Sequence, residues 1–529
     1  MLGSTLALTN RTLRQDIRSL YPHLLRFFLV SFVSFMIVQA HAVAGLFGAP
    51  GMQLFRSVMT LNLWFLTISS LSLFGSAITE EKEERTIGLL RMAGISPVAL
   101  LLGKAAPRFM GTVFMLLVQV PFTLLAITLG GVALRQVLAA YVALIAYALA
   151  LGTLGLLFSV VCRTTRRAAW WTGVCVVAFF SSASLVGLIA FAFENVGWIS
   201  PGDTGSVVLD ELAMSLRQAS VSARLGSVMS TGFATPIFGI HFYSNLIAAA
   251  VFFLASWLLF DRFVTDEHSG GVSRGLLPRS RARLRWLGTG RATGNALIWK
   301  DFHFLFGGRL HLMLRSLFIP AIVAFSLAVT YASVGSWRSI DLEVVGGYTV
   351  IIALIATAGE LAGSASRLFG EEIKQKTLAN LMMLPISTPH LVAMKVAGAL
   401  VGLIPGFIYF NVGMFVWIVA DGLALDRLGE MIVEPGFWLT VTTYFLFLHL
   451  TVLFSLVLRW GALPLAAIVV IGTMFMCISC IQVMPFTGAV IGGRRSVDAF
   501  LVFFTMLELL IIAMIQSAIV SGLRRAASR

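Results

Sequence analysis

Long apolar runs constrain this chain more than any other feature of its sequence. A helix needs about 20 mostly apolar residues to cross the hydrocarbon core of a bilayer, and the 529-residue chain contains twelve runs of that kind. Only 12% of the residues are charged, against about 25% in a typical soluble domain. These features predict an all-α integral membrane protein with about 12 transmembrane helices. The runs lie approximately at residues 24–47, 54–78, 99–131, 134–161, 168–193, 240–260, 312–332, 346–366, 391–420, 436–458, 463–484 and 497–522.

The loops between the predicted spans indicate the orientation. No small-residue cleavage site follows the first apolar run, so we expect a transmembrane helix there rather than a signal peptide. An excess of lysine and arginine is typical of cytoplasmic loops. We therefore expect both termini in the cytoplasm of a multi-pass protein of the cell (cytoplasmic or inner) membrane. The net charge of +14 comes largely from such loops, and no basic soluble domain indicates binding of nucleic acid. The basic loops of the first half contain Arg11, Arg14, Arg18, Lys82, Arg85, Arg91, Lys104, Arg163, Arg166 and Arg167.

A charged stretch recurs between two apolar runs in each half of the chain. The first copy is TEEKEERTIGLLRMAGISPVALLLGK (residues 79–104), and the second is EEIKQKTLANLMMLPISTPHLVAMK (residues 371–395). A shift of 291 positions gives nine identities in 25 aligned residues, where chance gives roughly two. The chain is therefore interpreted as two repeated six-helix halves, residues 1–262 and 295–529, joined by a basic cytoplasmic linker, residues 263–294. The identical residues are Glu80/Glu371, Glu81/Glu372, Thr86/Thr377, Leu90/Leu381, Met92/Met383, Ile95/Ile386, Ser96/Ser387, Leu100/Leu391 and Lys104/Lys395.

Each copy is predicted to form a short helix outside the bilayer, between the second and third spans of its half. Thr79 is the expected N-cap of the first copy, and the acids that follow it favour the positive end of the helix dipole. Gly94 and Pro97 are expected to end this segment. The linker is interpreted as a solvated connection, with binding of anionic lipid headgroups as the alternative. Each half also begins with a predicted cytoplasmic surface helix, marked by apolar residues at helical spacing: Leu13, Ile17, Leu20 and Leu24 in the first, and Ile298, Phe302 and Leu305 in the second.

No motif for nucleotide chemistry is recognisable. The pair Gly103-Lys104 resembles the end of a phosphate-binding loop, but Val98 stands where that motif requires glycine and Ala105 where it requires serine or threonine. The sequence also contains no HExxH and no glycine-rich dinucleotide fingerprint. We therefore expect no cofactor and no enzymatic activity in this chain, and any ATP-driven work requires a separate subunit.

Few charged residues lie within the predicted spans. Glu508 falls in the last span and Glu360 near the cytoplasmic end of the eighth. An acid in lipid is a functional candidate by default. For Glu508 a functional role and a hydrogen-bonded structural role stay open, whereas Glu360 is interpreted as structural. Cys477 and Cys480 form a CxxC, interpreted as two small packing residues on a membrane helix. Glycines that recur every four positions in the ninth span, expected to allow close helix packing rather than to form a hinge, are Gly398, Gly402 and Gly406.

The duplicated pattern resembles the ABC-2 type of ABC transporter permease. Such permeases have six-span halves that begin with a surface helix. Between spans two and three they carry a coupling helix, with the pattern E-x-E-x-G-T-x-x-L-L…P-x-S…G-K. This chain departs from the pattern at Arg85 and Lys376, where glycine is usual, and at Gln375 and Met394. The matching residues are Glu81, Glu83, Glu84, Thr86, Leu89, Leu90, Ile95, Ser96, Pro97, Gly103 and Lys104 in the first copy, and Glu371, Glu372, Thr377, Leu381, Pro385, Ile386, Ser387 and Lys395 in the second.

The resemblance implies an exporter whose pathway lies between the halves, with two separate ATPase subunits beneath the coupling helices and ATP bound by those subunits. The substrate is not indicated. One alternative is an ion- or proton-coupled secondary transporter, in which repeats are often inverted and ionisable residues lie at the midplane. Another is a membrane-embedded enzyme that modifies lipids. Since both halves begin on the same side and midplane charge is sparse, the ATP-driven exporter is favoured. The residues to which the resemblance assigns ATPase coupling are Glu80, Glu81, Glu83, Glu84, Arg85, Thr86, Glu371, Glu372, Lys376 and Thr377.

Overall fold

The computed structural model describes most of the chain. Of the residues it describes, 87% are helical and none lies in a β-strand, so the predicted all-α class is confirmed. Most of the surface helix predicted before residue 20 and most of the linker at residues 263–294 lie outside the described residues. The described residues are 9–11, 14, 20–47, 50–195, 197–200, 202–230, 233–265, 295–304, 307–334, 341–374, 376–421, 424–458, 461–483 and 494–527.

The first half of the sequence forms α1 (Leu20–Phe47), α2 (Pro50–Gly75), α3 (Thr79–Glu83), α4 (Ile87–Met92), α5 (Pro97–Val118), α6 (Val120–Thr128), α7 (Leu134–Val161), α8 (Thr165–Asn195), α9 (Thr204–Ala219), α10 (Val221–Val228) and α11 (Ile240–Thr265). The second half forms α12 (Ala296–Phe304), α13 (Gly308–Val334), α14 (Leu342–Ala365), α15 (Gly370–Lys374), α16 (Leu378–Met382), α17 (Thr388–Gly402), α18 (Ile404–Ala420), α19 (Ala424–Val433), α20 (Pro435–Val457), α21 (Ala462–Val483) and α22 (Arg494–Ala527).

Ten helical segments among the described residues are long and apolar enough to cross a membrane, and an eleventh is gained if the bent pair α17–α18 counts as one span. The chain is therefore a multi-pass integral membrane protein. Twelve spans were expected, and the difference lies in α21. Within α21 (Ala462–Val483), the stretch Ala462–Cys477 qualifies among the described residues only as a shorter apolar helix. The count of twelve and the orientation of the spans stay predictions.

Two of the apolar helices are interrupted two residues before a proline. α5 ends and α6 begins around Gln119, just before Pro121, whereas Pro107 lies inside α5 without ending it. α17 and α18 meet at Leu403, just before Pro405, with a bend of 57°. A proline has no N–H to donate to the carbonyl four residues earlier, which weakens the helix at that point. The bend at Leu403 differs from our expectation that this glycine-rich span would serve packing alone.

The first compact unit contains the described residues within 1–187, 207–271 and 467–493. In this unit α2 packs against α1 and α7, and α11 lies along α7. Part of α21 also belongs to it, since Gly472 lies directly against the ring of Phe32 in α1. The unit is therefore not a continuous stretch of the sequence.

The second compact unit contains the described residues within 188–206, 272–466 and 494–529. α14 packs along α18, and α20 packs along α22. Glycines permit the first of these contacts, because a β-carbon added at Gly346 would lie 2.6 Å from the backbone nitrogen of Trp417. Gly406 likewise lies directly against Thr357, as the packing prediction for this glycine requires.

Candidate functional site: the two charged segments

Each charged stretch forms two short helices joined by a tight turn, followed by the start of a long helix, α5 or α17. We call residues 79–104 the first charged segment and residues 371–395 the second. In the turn, Arg85 has φ 58° and Lys376 has φ 56°, the two non-glycine residues with positive φ in the described part of the chain. They are equivalent under the 291-residue shift. The left-handed conformation costs a residue with a β-carbon roughly 1–2 kcal/mol, which explains why glycine would suit this position.

A buried carboxylate closes the turn in the first charged segment. Glu81 is only 7% exposed. It accepts hydrogen bonds from the ammonium group of Lys104 in α5 and from the hydroxyl of Thr86. The backbone nitrogen of Thr86 also donates to the Glu81 carbonyl at 2.9 Å. These bonds hold the turn and attach it to α5.

The second charged segment repeats this arrangement with equivalent residues. Glu372 is 5% exposed and accepts from Lys395 at 3.1 Å and from the hydroxyl of Thr377. The backbone nitrogen of Thr377 donates to the Glu372 carbonyl at 2.9 Å. The two halves therefore share a lysine, a glutamate and a threonine in the same relation.

Further bonds attach α3 to the loop between α7 and α8. Lys82 donates to the carbonyls of Val160 and Cys162, the latter at 3.1 Å, at the end of α7. Glu83 accepts from the backbone nitrogen of Thr165 at 2.8 Å, at the start of α8. A lysine at a helix C-terminus and an acid at a helix N-terminus both stabilise the helix, because their charges interact favourably with its dipole. The first charged segment thus holds the ends of two long helices.

Two other side chains connect the start of the first charged segment to its neighbours. Glu80 pairs with Arg108 of α5 at 3.0 Å. Thr79 was expected to be the N-cap, but this was wrong, because Thr79 lies inside the helix. Its hydroxyl bonds the Gly75 carbonyl at 2.7 Å and the hydroxyl of Thr165 at 2.9 Å.

The second charged segment has different additional partners. Lys300 of α12 donates to Glu372 at 2.7 Å, and Asp301 accepts from Lys395 at 3.3 Å. Asp301 is fully buried, and its other carboxylate oxygen has no partner among the described residues. Burial raises the pKa of the Asp301 carboxyl, and the nearby charge of Lys395 opposes this rise. Where the first segment has Lys82, the second has Ile373, so the second segment is attached to α12 instead.

Several of the predicted coupling residues face outward. Glu84, Arg85 and Lys376 are exposed, whereas Glu371 and the two threonines are half-buried. The equivalent methionines Met92 and Met383 are 77% and 81% exposed. Our sequence interpretation missed Lys82, Lys300 and Asp301 as partners of these segments. In the sequence, only the occurrence of lysine at the same position of both copies, Lys104 and Lys395, indicated that these side chains form buried pairs.

The intramembrane acids lie elsewhere in the second unit. Glu508 of α22 accepts hydrogen bonds from Thr442 at 2.7 Å and from Thr443 at 2.8 Å, both in α20. Glu360 of α14 pairs with Arg315 of α13, which also donates to the carbonyl of Gly402 at the α17–α18 bend. Within the described residues, no group of three His, Cys, Asp or Glu side chains is placed to hold a metal ion.

The fold defines the class of protein, an all-α multi-pass integral membrane protein whose two charged segments form the same turn and the same buried cluster. No protein-family model matches the chain, and no curated protein matches it.

Proposed function

We propose that this chain is the transmembrane subunit of an ATP-driven transporter of the ABC-2 type, which exports an unidentified substrate across the cell membrane. The observation that carries the proposal is the double occurrence of one structure. The same lysine–glutamate–threonine cluster and the same left-handed turn form at equivalent positions of both segments. A pair of alike, rigidly held segments suits a partner that is itself present in two copies.

The contacts support a route for mechanical coupling. Displacement of the first charged segment by a partner moves α5 through Lys104, and moves the α7–α8 loop through Lys82 and Glu83. Displacement of the second segment moves α17 through Lys395 and α12 through Asp301. Long helices transmit such shifts as rigid elements.

In this proposal the buried acids stabilise the two segments and do not contact the ATPase. Glu81 and Glu372 are removed from solvent and bound by lysines of their own half. They therefore hold the shape of each segment, while contact with the ATPase falls to the exposed side chains.

The test is purification of the full-length tagged chain after coexpression with candidate ATPase subunits. We expect an ATPase to copurify and the complex to hydrolyse ATP. We also expect this turnover to be lost when the phosphate-binding lysine of the ATPase is replaced. The chain purified alone should show no turnover. Turnover by the isolated chain, or failure of every candidate ATPase to bind the folded chain, would contradict the proposal.

A second candidate, a proton- or ion-coupled secondary transporter, is favoured by Glu508. This buried acid is bound by two hydroxyl groups inside a membrane helix pair, and such acids often lie on ion pathways. Transport that continues without ATP, depends on a proton gradient and is abolished by Glu508→Gln would support this alternative over the first.

A further inference from the structure

The second half of the chain contains a short amphipathic helix that has no counterpart in the first half. This helix, α19, lies between α18 and α20. At the equivalent place in the first half, α6 and α7 are joined by residues 129–133, which are described and form no helix. The apolar residues of α19 recur at spacings of three and four positions, which places them on one face of the helix. They are Leu428, Met431 and Ile432.

The backbone at both ends of α19 turns it away from the neighbouring long helices. Asp421, which ends α18, has φ −107° and ψ 105°. Glu434, which precedes α20, has φ −71° and ψ 125°. Both conformations are extended, so α19 continues neither helix. Since α20 and the bent pair α17–α18 are apolar enough to cross a membrane, a helix that joins their ends lies where the chain leaves the bilayer.

Ion pairs fix the direction in which the polar face of α19 points. Arg427 pairs with Asp421 at the end of α18 at 2.9 Å, and with Glu343 in the first turn of α14 at 3.7 Å. The polar face therefore lies beside the ends of these two helices. The other charged residues of α19, Asp426 and Glu430, are exposed acids. Attraction to anionic lipid headgroups would need basic residues instead.

The apolar face of α19 is uncovered and continues into the exposed side of α20. Met431 is 43% and Ile432 48% exposed. The ring N–H of Trp438, near the start of α20, donates to the Ile432 carbonyl at 2.8 Å. Trp438 and Phe445 are both exposed, and their spacing of seven residues places them on one side of α20. Tryptophan is typical of the boundary between membrane and water, so this surface indicates where that boundary lies.

We propose that α19 is an interfacial helix, which binds the boundary between headgroups and acyl chains of the bilayer through Leu428, Met431 and Ile432. Helices of this kind bury their apolar face about 5–10 Å into that boundary. The acidic polar face means that apolar contact, not charge, holds the helix there. Because Arg427 connects α19 to α14 and α18, the position of the lipid surface constrains the ends of these two helices. This lipid contact belongs to the second half alone, so the loops that follow α6 and α18 meet the membrane differently.

The test uses the full-length chain in phosphatidylcholine nanodiscs, with its four native cysteines replaced. A nitroxide spin label is attached at Ile432→Cys or, as a second position on the same face, at Met431→Cys. The matched control is Glu430→Cys, an exposed position on the polar face of the same helix. Collision of the label with molecular oxygen, which partitions into lipid, is compared with collision with a water-soluble nickel chelate. We expect the ratio of oxygen to nickel collisions to be several-fold higher at Ile432 and Met431 than at Glu430.

The other outcomes overturn the proposal. Equal ratios at the three positions, with ready access of the nickel chelate to each, would mean that α19 lies in water. Poor access of both reagents to the labels at Ile432 and Met431 would mean that protein covers this face, either a second copy of the chain or another part of the same copy.

Discussion

At the scale of single residues, Glu81 and Lys104 depend on each other because neither is hydrated. Their side chains are 10% and 8% exposed. Replacing a buried ion pair as a whole by apolar residues is often neutral, but removing one partner leaves an uncompensated charge. The pair therefore fixes the shape of the turn, rather than adding to the net stability of the folded protein.

We predict that Glu81→Ala lowers the free energy of unfolding by about 3–5 kcal/mol, because Lys104 then stays buried without its carboxylate. The double variant Glu81→Leu with Lys104→Met should recover most of this loss. Chemical or thermal unfolding in detergent measures both. Glu211→Ala, at an exposed position of α9, is the control and should change stability by less than about 0.5 kcal/mol. Equal losses in the single and double variants would contradict this account.

Asp301 gives a prediction about pH. The pKa of its carboxyl is raised by burial above the ordinary value of 3.8, with Lys395, Lys300 and Glu372 as its charged neighbours. A raised pKa in the folded state means that the folded protein binds the proton more tightly than the unfolded chain. The stability that this group contributes is therefore fully present below 3.8 and is lost as the pH rises through the raised value.

We predict that the melting temperature of wild type, minus that of Asp301→Asn, is largest near the ordinary aspartate pKa and decreases as the pH rises. Asparagine has a similar shape but does not titrate, so the difference isolates this carboxyl. Thermal unfolding over a series of acidic to neutral buffers measures it. A difference that grows with pH would mean that Lys395 outweighs burial at this site.

At the scale of helices, the sequence predicted where the apolar segments lie better than where they bend. The expected fourth span, residues 134–161, has the bounds of α7. The break at Gln119 lies just before Pro121, whereas the bend at Leu403 was not expected. Apolar periodicity indicates which residues of a segment are buried, and it can be recognised from the sequence of that segment alone.

Side-chain partners distant in sequence could not be predicted in this way. Lys82 bonds carbonyls near Cys162, and Asp301 bonds Lys395, across separations that no local pattern encodes. The repeat identified Glu81 and Lys104 as important but gave no reason to pair them. The acids were therefore interpreted as outward-facing coupling residues, while the fold buries Glu81 and Glu372.

Adjacent glycines in α14 give a matched test of helix packing. A β-carbon at Gly346 would meet the backbone of Trp417 at 2.6 Å, whereas one at Gly347 meets nothing within 4 Å. We predict that Gly346→Ala destabilises the protein by about 1–3 kcal/mol, because backbone atoms must move. Gly347→Ala should be neutral or stabilise the helix by up to about 1 kcal/mol. Thermal unfolding of both variants checks this, and equal effects would mean that α14 and α18 pack less closely than described.

At the scale of the whole molecule, the distribution of basic loops predicts the orientation of the spans. We predict that cysteines at Glu84 and Lys376 resist a membrane-impermeant maleimide in intact cells, whereas a cysteine at Asp203 reacts. All three positions are exposed, so all should react once the membrane is opened, which is the control. The background needs its four native cysteines replaced. Labelling of Glu84 but not Asp203 in intact cells would reverse the topology.

The first compact unit is built from separate stretches of the sequence, and this limits how the gene can be divided. Phe32 comes from one half of the sequence and Gly472 from the other, and the two are in direct contact. A protease cut in the linker should therefore leave two fragments that stay interlocked and migrate together until they are denatured. Neither fragment produced alone can complete this unit. Separately encoded halves should thus be recovered only when both are synthesised in the same cell, by complementation in trans.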